Sequence, residues 1–140
     1  MKAIELRRHA QRESDADRLS PTGRDLAARV ASTLKEPFDR VFVSPAARAA
    51  ETAALLAPGI TPTVVGGLGS DGEPGALAGG LRGLFAELPE GTRALLVGHT
   101  PLIEKAVLGL TGTEIAPLAE CEGALVLERD GAYEAQELRL

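Results

Sequence analysis

The segment AIELRRHAQRE, residues 3–13, sets the pattern that decides the fold, because an apolar strand runs directly into a cluster of cations. Residues 3–6 are mostly apolar and predict a short buried strand. Arg7, Arg8 and His9 follow this strand without a break. Ligands of open α/β sheets bind beyond the carboxyl ends of the strands, so this strand end is a candidate site.

The rest of the chain repeats this order of strand, polar residues and helix. Further strands are predicted at residues 40–43 (RVFV), 61–67 (TPTVVGG) and 93–98 (RALLVG). Helices are predicted at residues 20–35, from 44 to about 57, from about 73 to 88, and after Pro101. Ser20, Ser44 and Thr100 each precede a proline, and this pair is typical of an N-cap followed by the first helical residue.

The C-terminal part differs from this alternating pattern. Residues 123–138, GALVLERDGAYEAQEL, contain Asp130-Gly131, which is a strong signal for a hairpin turn. Alternation of strands and helices with short connections predicts an α/β protein. We therefore expect one domain over residues 1–140, a three-layer α/β/α sandwich with a mostly parallel central sheet and a C-terminal antiparallel hairpin.

Composition narrows the classes of function. The chain has 140 residues, of which 44% are hydrophobic and 25% charged, as in ordinary globular proteins. Its net charge of −5 argues against a nucleic-acid partner, which would favour a basic protein. Cys121 is the only cysteine, so no internal disulfide is expected. No apolar run approaches the ~20 residues of a membrane span, and we expect a cytoplasmic location without a membrane partner.

Four residues share one topological position, at or just after a predicted strand end. Arg8 and His9 follow the first strand, Arg48 lies in the first turn of the helix after the second, and His99 follows the fourth. Arginines and helix N-termini bind phosphate oxygens, so the sequence predicts a phosphate pocket at this edge of the sheet. Arg48 opposes the helix dipole and needs a bound anion or a nearby acid to offset it. Flanking arginines would repel a divalent cation, so we expect no metal and no cofactor.

Four short blocks occur in order, and together they resemble the histidine phosphatase superfamily. RRHA at residues 7–10 is similar to its Arg-His-Gly signature, and LSPTGRDLAARV at 19–30 to its Leu-Thr-x-x-Gly helix. VSPAARAAETA at 43–53 resembles its Ser-Pro-x-x-Arg-Ala-x-x-Thr block, and VGHTP at 97–101 its Gly-His-x-Pro block. The short chain, without an insertion large enough for a lid, looks like the SixA-type phosphohistidine phosphatase branch.

The resemblance implies a fold, an activity and residue roles. It makes His9 the nucleophile that is transiently phosphorylated, with Arg8, Arg48 and His99 binding the phosphoryl oxygens. The chain departs from the superfamily at Ala10, where the signature has glycine, and in the region after the third strand, where many members carry a glutamate acid. Asp71 and Glu73 are the nearest carboxylates there and are the candidates for protonating the leaving group, with Asp71 placed among the catalytic residues.

Three functions remain open from the sequence. The first is a metal-independent phosphatase that dephosphorylates phosphohistidine in proteins. The second is a phosphomonoesterase for a small phosphorylated metabolite, and the third is a non-catalytic phosphate-binding module. A site without a lid favours a protruding protein side chain as substrate over an enclosed metabolite. The sequence leaves the physiological partner, the oligomeric state and the pathway open.

Overall fold

The structure, a computed structural model, describes residues 1–69 and 72–140. Its strands are β1 Lys2–Arg8, β2 Arg40–Val43, β3 Thr63–Val64, β4 Arg93–Gly98, β5 Gly123–Arg129 and β6 Ala132–Leu138. Its helices are α1 Pro21–Thr33, α2 Ala47–Leu56, α3 Pro74–Glu87 and α4 Leu102–Thr111, and a short 3₁₀ turn spans Gly66–Leu68. Within the described residues, no helix is both long and apolar enough to cross a membrane.

The six strands form one mixed sheet in the order β3-β2-β4-β1-β5-β6. The strands β3, β2, β4 and β1 are parallel to one another. β5 pairs antiparallel with β1, and β6 pairs antiparallel with β5. Two residues at the turn between β5 and β6, Asp130 and Gly131, have φ values of 55° and 82°, as a two-residue hairpin of this kind requires. The predicted α/β fold class, with its mostly parallel sheet and C-terminal hairpin, is confirmed.

Helices cover both faces of the sheet, which gives the three predicted layers. Alternate residues of a strand point to opposite faces, and in β4 Leu95 packs with the α1–α2 layer while Leu96 packs with the α3–α4 layer. One apolar face of α4 is buried in the core between the α3–α4 layer and the sheet; its members are Leu102, Ile103, Ala106, Val107 and Leu110. The sheet is therefore fixed from both sides, and the strand ends that carry the predicted site share one rigid edge.

The three cap-plus-proline signals have different outcomes. Ser20 caps α1 as predicted, because its hydroxyl accepts a hydrogen bond from the Gly23 amide. The other two predicted caps are wrong: α2 begins three residues after Ser44, at Ala47, and α4 begins at Leu102. The Ser44 hydroxyl accepts from the Ala46 amide, just before α2, and contacts the His99 ring, and the Thr100 hydroxyl donates to Glu104. A nearby side chain competes with the helix end for these hydroxyls.

Candidate active site

The two histidines lie side by side because their strands are neighbours in the sheet. Arg8 of β1 pairs in register with Gly98 of β4, and the His9 amide donates to the Gly98 carbonyl over 3.1 Å. The centroids of the His9 and His99 rings are 5.2 Å apart, with the rings in an edge-to-face arrangement. Both side chains are almost fully buried. The spacing is within the reach of one shared phosphoryl group, as the sequence predicted.

Arg48 connects the two rings from the first turn of α2. Its Nε donates to His9 Nε2 over 3.3 Å, and its Nη2 lies 3.5 Å from His99 Nδ1. One guanidinium group therefore contacts both imidazole rings. The planar fork that makes these two contacts is the geometry with which arginine binds a phosphoryl group.

Arg8 approaches the same space from the end of β1. Its Nη1 donates to the Leu118 carbonyl over 2.8 Å, and this contact fixes the direction of the guanidinium group. Its Nε is buried and has no hydrogen-bond partner in the part of the chain that the structure describes. A buried donor without an acceptor is costly, so this nitrogen is poised for an acceptor atom from outside the chain.

The hydrogen bonds of His9 leave one ring nitrogen available as a nucleophile. Nδ1 lies 2.7 Å from the Ala10 carbonyl, which can only accept, so Nδ1 carries the proton. Nε2 is then unprotonated, and its lone pair accepts from Arg48 until a substrate takes the place of this contact. Burial lowers the pKa of His9, and the charges of Arg48 and Arg8 lower it further, against an opposing contribution from the hydrogen bond to Ala10. The neutral ring is the form that can attack phosphorus.

His99 is held by a different hydroxyl. Its Nε2 lies 2.8 Å from Ser44 Oγ, while Nδ1 faces Arg48. Because Arg48 can only donate, Nδ1 is the unprotonated nitrogen, and Nε2–H donates to Ser44. Burial, followed by the neighbouring His9 and Arg48, lowers the pKa of His99 to about 4. The ring is therefore neutral at physiological pH.

The loop after β1 is tied to α2 by a buried threonine. Thr52 Oγ1 accepts from the Ala10 amide over 3.0 Å and donates to the Arg48 carbonyl over 2.8 Å. Ala10 is fully buried and is not among the described non-glycine residues with positive φ, so its methyl group fits where the signature has glycine. The nucleophile and Arg48 thus share one rigid support.

Asp17 supplies the acid that the position of Arg48 requires. Its carboxylate accepts from the Ala47 amide over 2.8 Å and the Arg48 amide over 3.1 Å, and Oδ1 also pairs with Arg48 Nη1 at 3.0 Å. The hydrogen bonds from these amides, that of Ala47 above all, lower the pKa of Asp17. Sequence analysis missed this residue, because Asp17 lies in a polar segment with several acids and belongs to no recognised block.

A second acid, Glu120, was also missed. Its Oε2 lies 3.7 Å from Arg8 Nη1, and its side chain remains 36% exposed. Nothing in the sequence marks this glutamate, because it reaches the site through the antiparallel pairing of β5 with β1. The two arginines therefore each have one carboxylate neighbour, Asp17 at Arg48 and Glu120 at Arg8.

A family model and several solved structures are similar to this chain. Residues 3–68 match the family model described as histidine phosphatase superfamily (branch 1). The solved structure of the protein histidine phosphatase SixA complexed with tungstate aligns with 98% of this chain and 96% of its own, at 25% identity and a TM-score of 0.79. The resemblance to the histidine phosphatase superfamily is confirmed.

Further structures share this histidine phosphatase fold. Phosphoserine phosphatase from Entamoeba histolytica, in complex with 3-phosphoglyceric acid, is 20% identical over 100% of this chain and 98% of its own, with a TM-score of 0.79. The putative phosphohistidine phosphatase SixA from Agrobacterium tumefaciens is 22% identical over 96% of this chain and 95% of its own, with a TM-score of 0.71. The search of curated proteins finds no match. These two structures, both under 25% identical, share the fold of this chain.

The region where many histidine phosphatases carry their acid gives no free carboxylate among the residues described. Glu73 caps α3, with its two carboxylate oxygens accepting from the Gly75 amide over 3.0 Å and the Ala76 amide over 2.6 Å. These hydrogen bonds lower the pKa of Glu73. Asp71 lies outside the described residues, so its predicted role as an acid stays a prediction. Within residues 1–69 and 72–140, no group of three or more His, Cys, Asp or Glu side chains is arranged to hold a metal ion.

Proposed function

We propose that this protein is a metal-independent phosphatase that forms a phosphohistidine intermediate on His9 and acts on phosphohistidine in other proteins. The observation that carries the proposal is the unprotonated Nε2 of His9, whose lone pair faces the guanidinium group of Arg48. The centroids of the His9 and His99 rings are 5.2 Å apart. A nucleophile beside donors for the phosphoryl oxygens is what phosphoryl transfer requires.

The reaction has two steps. The phosphoryl group binds to Arg8 and Arg48 beside the His99 ring, and His9 Nε2 attacks phosphorus as the bond to the leaving group breaks. The only N–H of the neutral His99 ring donates to Ser44, so in this tautomer His99 positions Arg48 through Nδ1 and does not itself donate to the phosphoryl oxygens. Water then attacks the phosphorus atom of phosphorylated His9. The P–N bond breaks with its electron pair returning to Nε2, which releases inorganic phosphate and restores the neutral imidazole. The two guanidinium groups stabilise the charge on the equatorial oxygens in both steps, and most of the catalysis in such transfers comes from positioning and electrostatics.

Two features favour a protein substrate. The connection from β3 to α3 is short and leaves no room in the sequence for a covering domain, which favours a protruding side chain as substrate. The similarity to SixA, whose name gives protein histidine phosphatase activity, points to the same substrate class. We place the activity in the cytoplasm, where Cys121, a buried free thiol, would stay reduced.

The second candidate is a phosphomonoesterase for a small metabolite. It is favoured by the similarity to a mycobacterial glucosyl-3-phosphoglycerate phosphatase in complex with VO₃, which is 17% identical over 99% of both chains, with a TM-score of 0.79. The third possibility left by the sequence, a non-catalytic binding module, does not explain the free nucleophilic nitrogen of His9, which binding alone does not need.

A substrate panel separates these functions. Turnover of a phosphohistidine peptide, phosphoserine and 4-nitrophenyl phosphate should be measured with and without EDTA. We expect the highest kcat/KM for the phosphohistidine peptide and no effect of EDTA. A preference for phosphoserine would favour the metabolite phosphatase, no turnover of any substrate would favour the binding module, and loss of activity in EDTA would contradict metal independence.

A further inference from the structure

The acids Asp17, Glu73 and Glu120 differ in how their carboxylates are engaged. Asp17 is held by two backbone amides and by Arg48, and Glu73 is held by two backbone amides at the start of α3. Glu120 accepts no hydrogen bond from any residue in the described ranges and has only the 3.7 Å ion contact with Arg8. Glu120 therefore has the carboxylate that is most free to bind a substrate group.

The backbone that carries Glu120 is nevertheless rigid. The Cys121 amide donates to the Arg8 carbonyl over 3.1 Å, and the Arg8 amide donates to the Glu122 carbonyl over 2.9 Å. Cys121 is fully buried and has a φ of 64°, a left-handed conformation that turns the chain beside β1. This conformation holds the residue before it next to Arg8. The free side chain thus stands on a fixed base at the edge of the phosphate pocket.

The position of Glu120 also brings it within electrostatic range of the nucleophile. Its charge raises the pKa of His9, against the larger lowering by burial. It is half-buried and partly open to solvent, so it can contact a group that enters from outside. An anion at the rim of a cationic pocket repels phosphate itself, and this cost is offset only if it binds another part of the substrate.

We propose that Glu120 is a specificity-determining residue that accepts a hydrogen bond from the protonated ring nitrogen of a phosphoimidazole substrate. This role rests on the proposed function and names the part of phosphohistidine that distinguishes it from a phosphate ester. The second ring nitrogen of phosphohistidine can carry a proton, which gives the ring a positive charge. An ionised carboxylate binds such an N–H group by a charge-assisted hydrogen bond.

The chemistry balances without proton transfer from the protein. The bond from His9 Nε2 to phosphorus forms while the P–N bond of the substrate breaks, and the electron pair of that bond goes to the departing ring nitrogen. The proton already present on the other nitrogen stays there, so a neutral imidazole leaves and Glu120 remains ionised. An alkyl ester gains nothing from this carboxylate, because its alkoxide needs a proton that an ionised carboxylate does not have.

The test is Glu120→Gln, with Glu114→Gln as the matched control. Glu114 lies on the same segment between α4 and β5, is exposed, and has no ion pair or hydrogen bond from its side chain within the described ranges. For each variant, kcat/KM is measured on a phosphohistidine peptide, on an alkyl phosphate and on 4-nitrophenyl phosphate. Loss of one charge-assisted hydrogen bond should lower phosphohistidine turnover by about tenfold. With Glu120→Gln, neither ester should lose turnover, because neither has the N–H group that the carboxylate binds. With Glu114→Gln, all substrates should change by less than about twofold, as expected for an exposed site away from the substrate.

Each other outcome overturns the proposal in a recognisable way. An equal loss on all substrates would mean that Glu120 acts only by holding Arg8. A loss confined to the alkyl phosphate would make it a general acid, and no loss at all would make it a bystander. If the wild-type enzyme hydrolyses only esters, the proposed function fails and this role fails with it. If the wild type hydrolyses phosphohistidine and Glu120→Gln is unselective, the role alone fails. Thermal melts establish that each variant is folded.

Discussion

The two arginines of the pocket have acidic neighbours of opposite character. At Arg48, Asp17 is fixed by two backbone amides of α2 and an ion pair of 3.0 Å. At Arg8, Glu120 has a single contact of 3.7 Å, and Arg8 is instead oriented by the Leu118 carbonyl. The Asp17 carboxylate is part of the scaffold, and the Glu120 carboxylate is free to bind a ligand.

The difference comes from the backbone next to each acid. The start of a helix offers unpaired amide groups, and a carboxylate placed there is bound firmly and stays ionised. Glu120 lies on a turn whose amides are already used within the backbone, so its side chain finds no such donors. A carboxylate near a cationic pocket is therefore held in the scaffold where unpaired backbone amides surround it. Where no such amides are available, its side chain can contact the substrate.

Loss of Arg48 is expected to have the largest effect among the residues of this comparison. Arg48→Ala removes the donors to His9 and His99, and the loss of preorganised charge stabilisation should lower kcat by about 10²–10³-fold. Its control is Arg24→Ala, because Arg24 pairs with Glu51 of α2 at 3.0 Å but contacts neither histidine. Steady-state kinetics of both variants check this, and similar losses in the two would show that Arg48 acts through stability alone.

The folding stability of Arg48→Ala should change little in the absence of phosphate. Removing the arginine relieves an unfavourable dipole interaction of ~0.3–1 kcal/mol but also removes a partly exposed ion pair worth ~0–1 kcal/mol. These two contributions offset each other. Thermal melts with and without phosphate should therefore show a near-unchanged melting temperature without ligand and weaker protection by phosphate. A wild-type degree of protection would contradict phosphate binding by Arg48.

Substitution of Asp17 separates its capping role from its charge. Asp17→Asn keeps a residue able to cap α2 but weakens the hold on Arg48, so we expect kcat to fall by about tenfold, the effect of one charged hydrogen bond. The loss of a negative charge should at the same time tighten inhibition by inorganic phosphate. Asp17→Ala should in addition lower the free energy of unfolding by about 0.5–2 kcal/mol. Unchanged kcat in both variants would show that Arg48 needs no such support.

The pH dependence should show that each acid acts on a different histidine. The charge of Asp17 raises the pKa of His99, and that of Glu120 raises the pKa of His9. In NMR titrations, Asp17→Asn should therefore lower the pKa of His99 further below about 4, and Glu120→Gln should lower that of His9. The same histidine responding to both substitutions would contradict the division of the pocket into two sides.

The pKa values of the two histidines also predict how stability depends on pH. Both pKa values lie below 6.5, the ordinary value of histidine, so the unfolded chain binds more protons than the folded one between the folded and unfolded pKa values. The free energy of unfolding should therefore fall as the pH drops from about 6.5 towards 4, and this contribution should be fully present above 6.5. Denaturant titrations over this range, with His99→Asn as the comparison, measure it. An equally steep fall in the variant would assign the effect to other groups.

The smallest effects are expected in the loop that many relatives use for acid catalysis. Glu73 is engaged at the start of α3, so Glu73→Gln should lower phosphohistidine turnover by less than about tenfold, below the usual range for a lost general acid. We expect the same limit for Asp71→Asn. A thousandfold loss in either folded variant would show that this loop carries a true general acid, and Glu120 would then not be the acid that faces the leaving group.

The two arginines and two histidines of the pocket could be predicted from the sequence, because the sheet topology places them close together. Arg8, His9 and His99 follow adjacent parallel strands, and Arg48 follows the next one, so a correct assignment of strands places them together. The acids could not be found in this way. Asp17 is selected by the unpaired amides of α2, and Glu120 by the pairing of β5 with β1, and neither feature leaves a pattern in the sequence.

Helix starts show a related limit of the sequence. A serine or threonine before a proline predicts a cap, and this holds at Ser20. At Ser44 and Thr100, the hydroxyl has a further partner outside the cap, the His99 ring for Ser44 and the Glu104 carboxylate for Thr100. A local pattern thus predicts the role of a side chain when its only hydrogen-bond partners lie in its own segment. Inside a functional pocket, side chains from other segments are also partners.

The most direct test of the account is to trap the phosphorylated enzyme. The protein is mixed with a substrate that carries a labelled phosphoryl group, quenched within the first turnover, and separated from free label. We expect one label per chain on His9, stable in base and lost in acid, and none in a folded His9→Ala variant, which should also have no turnover. Label on another residue, or undiminished turnover by His9→Ala, would contradict the central claim that His9 Nε2 is the nucleophile.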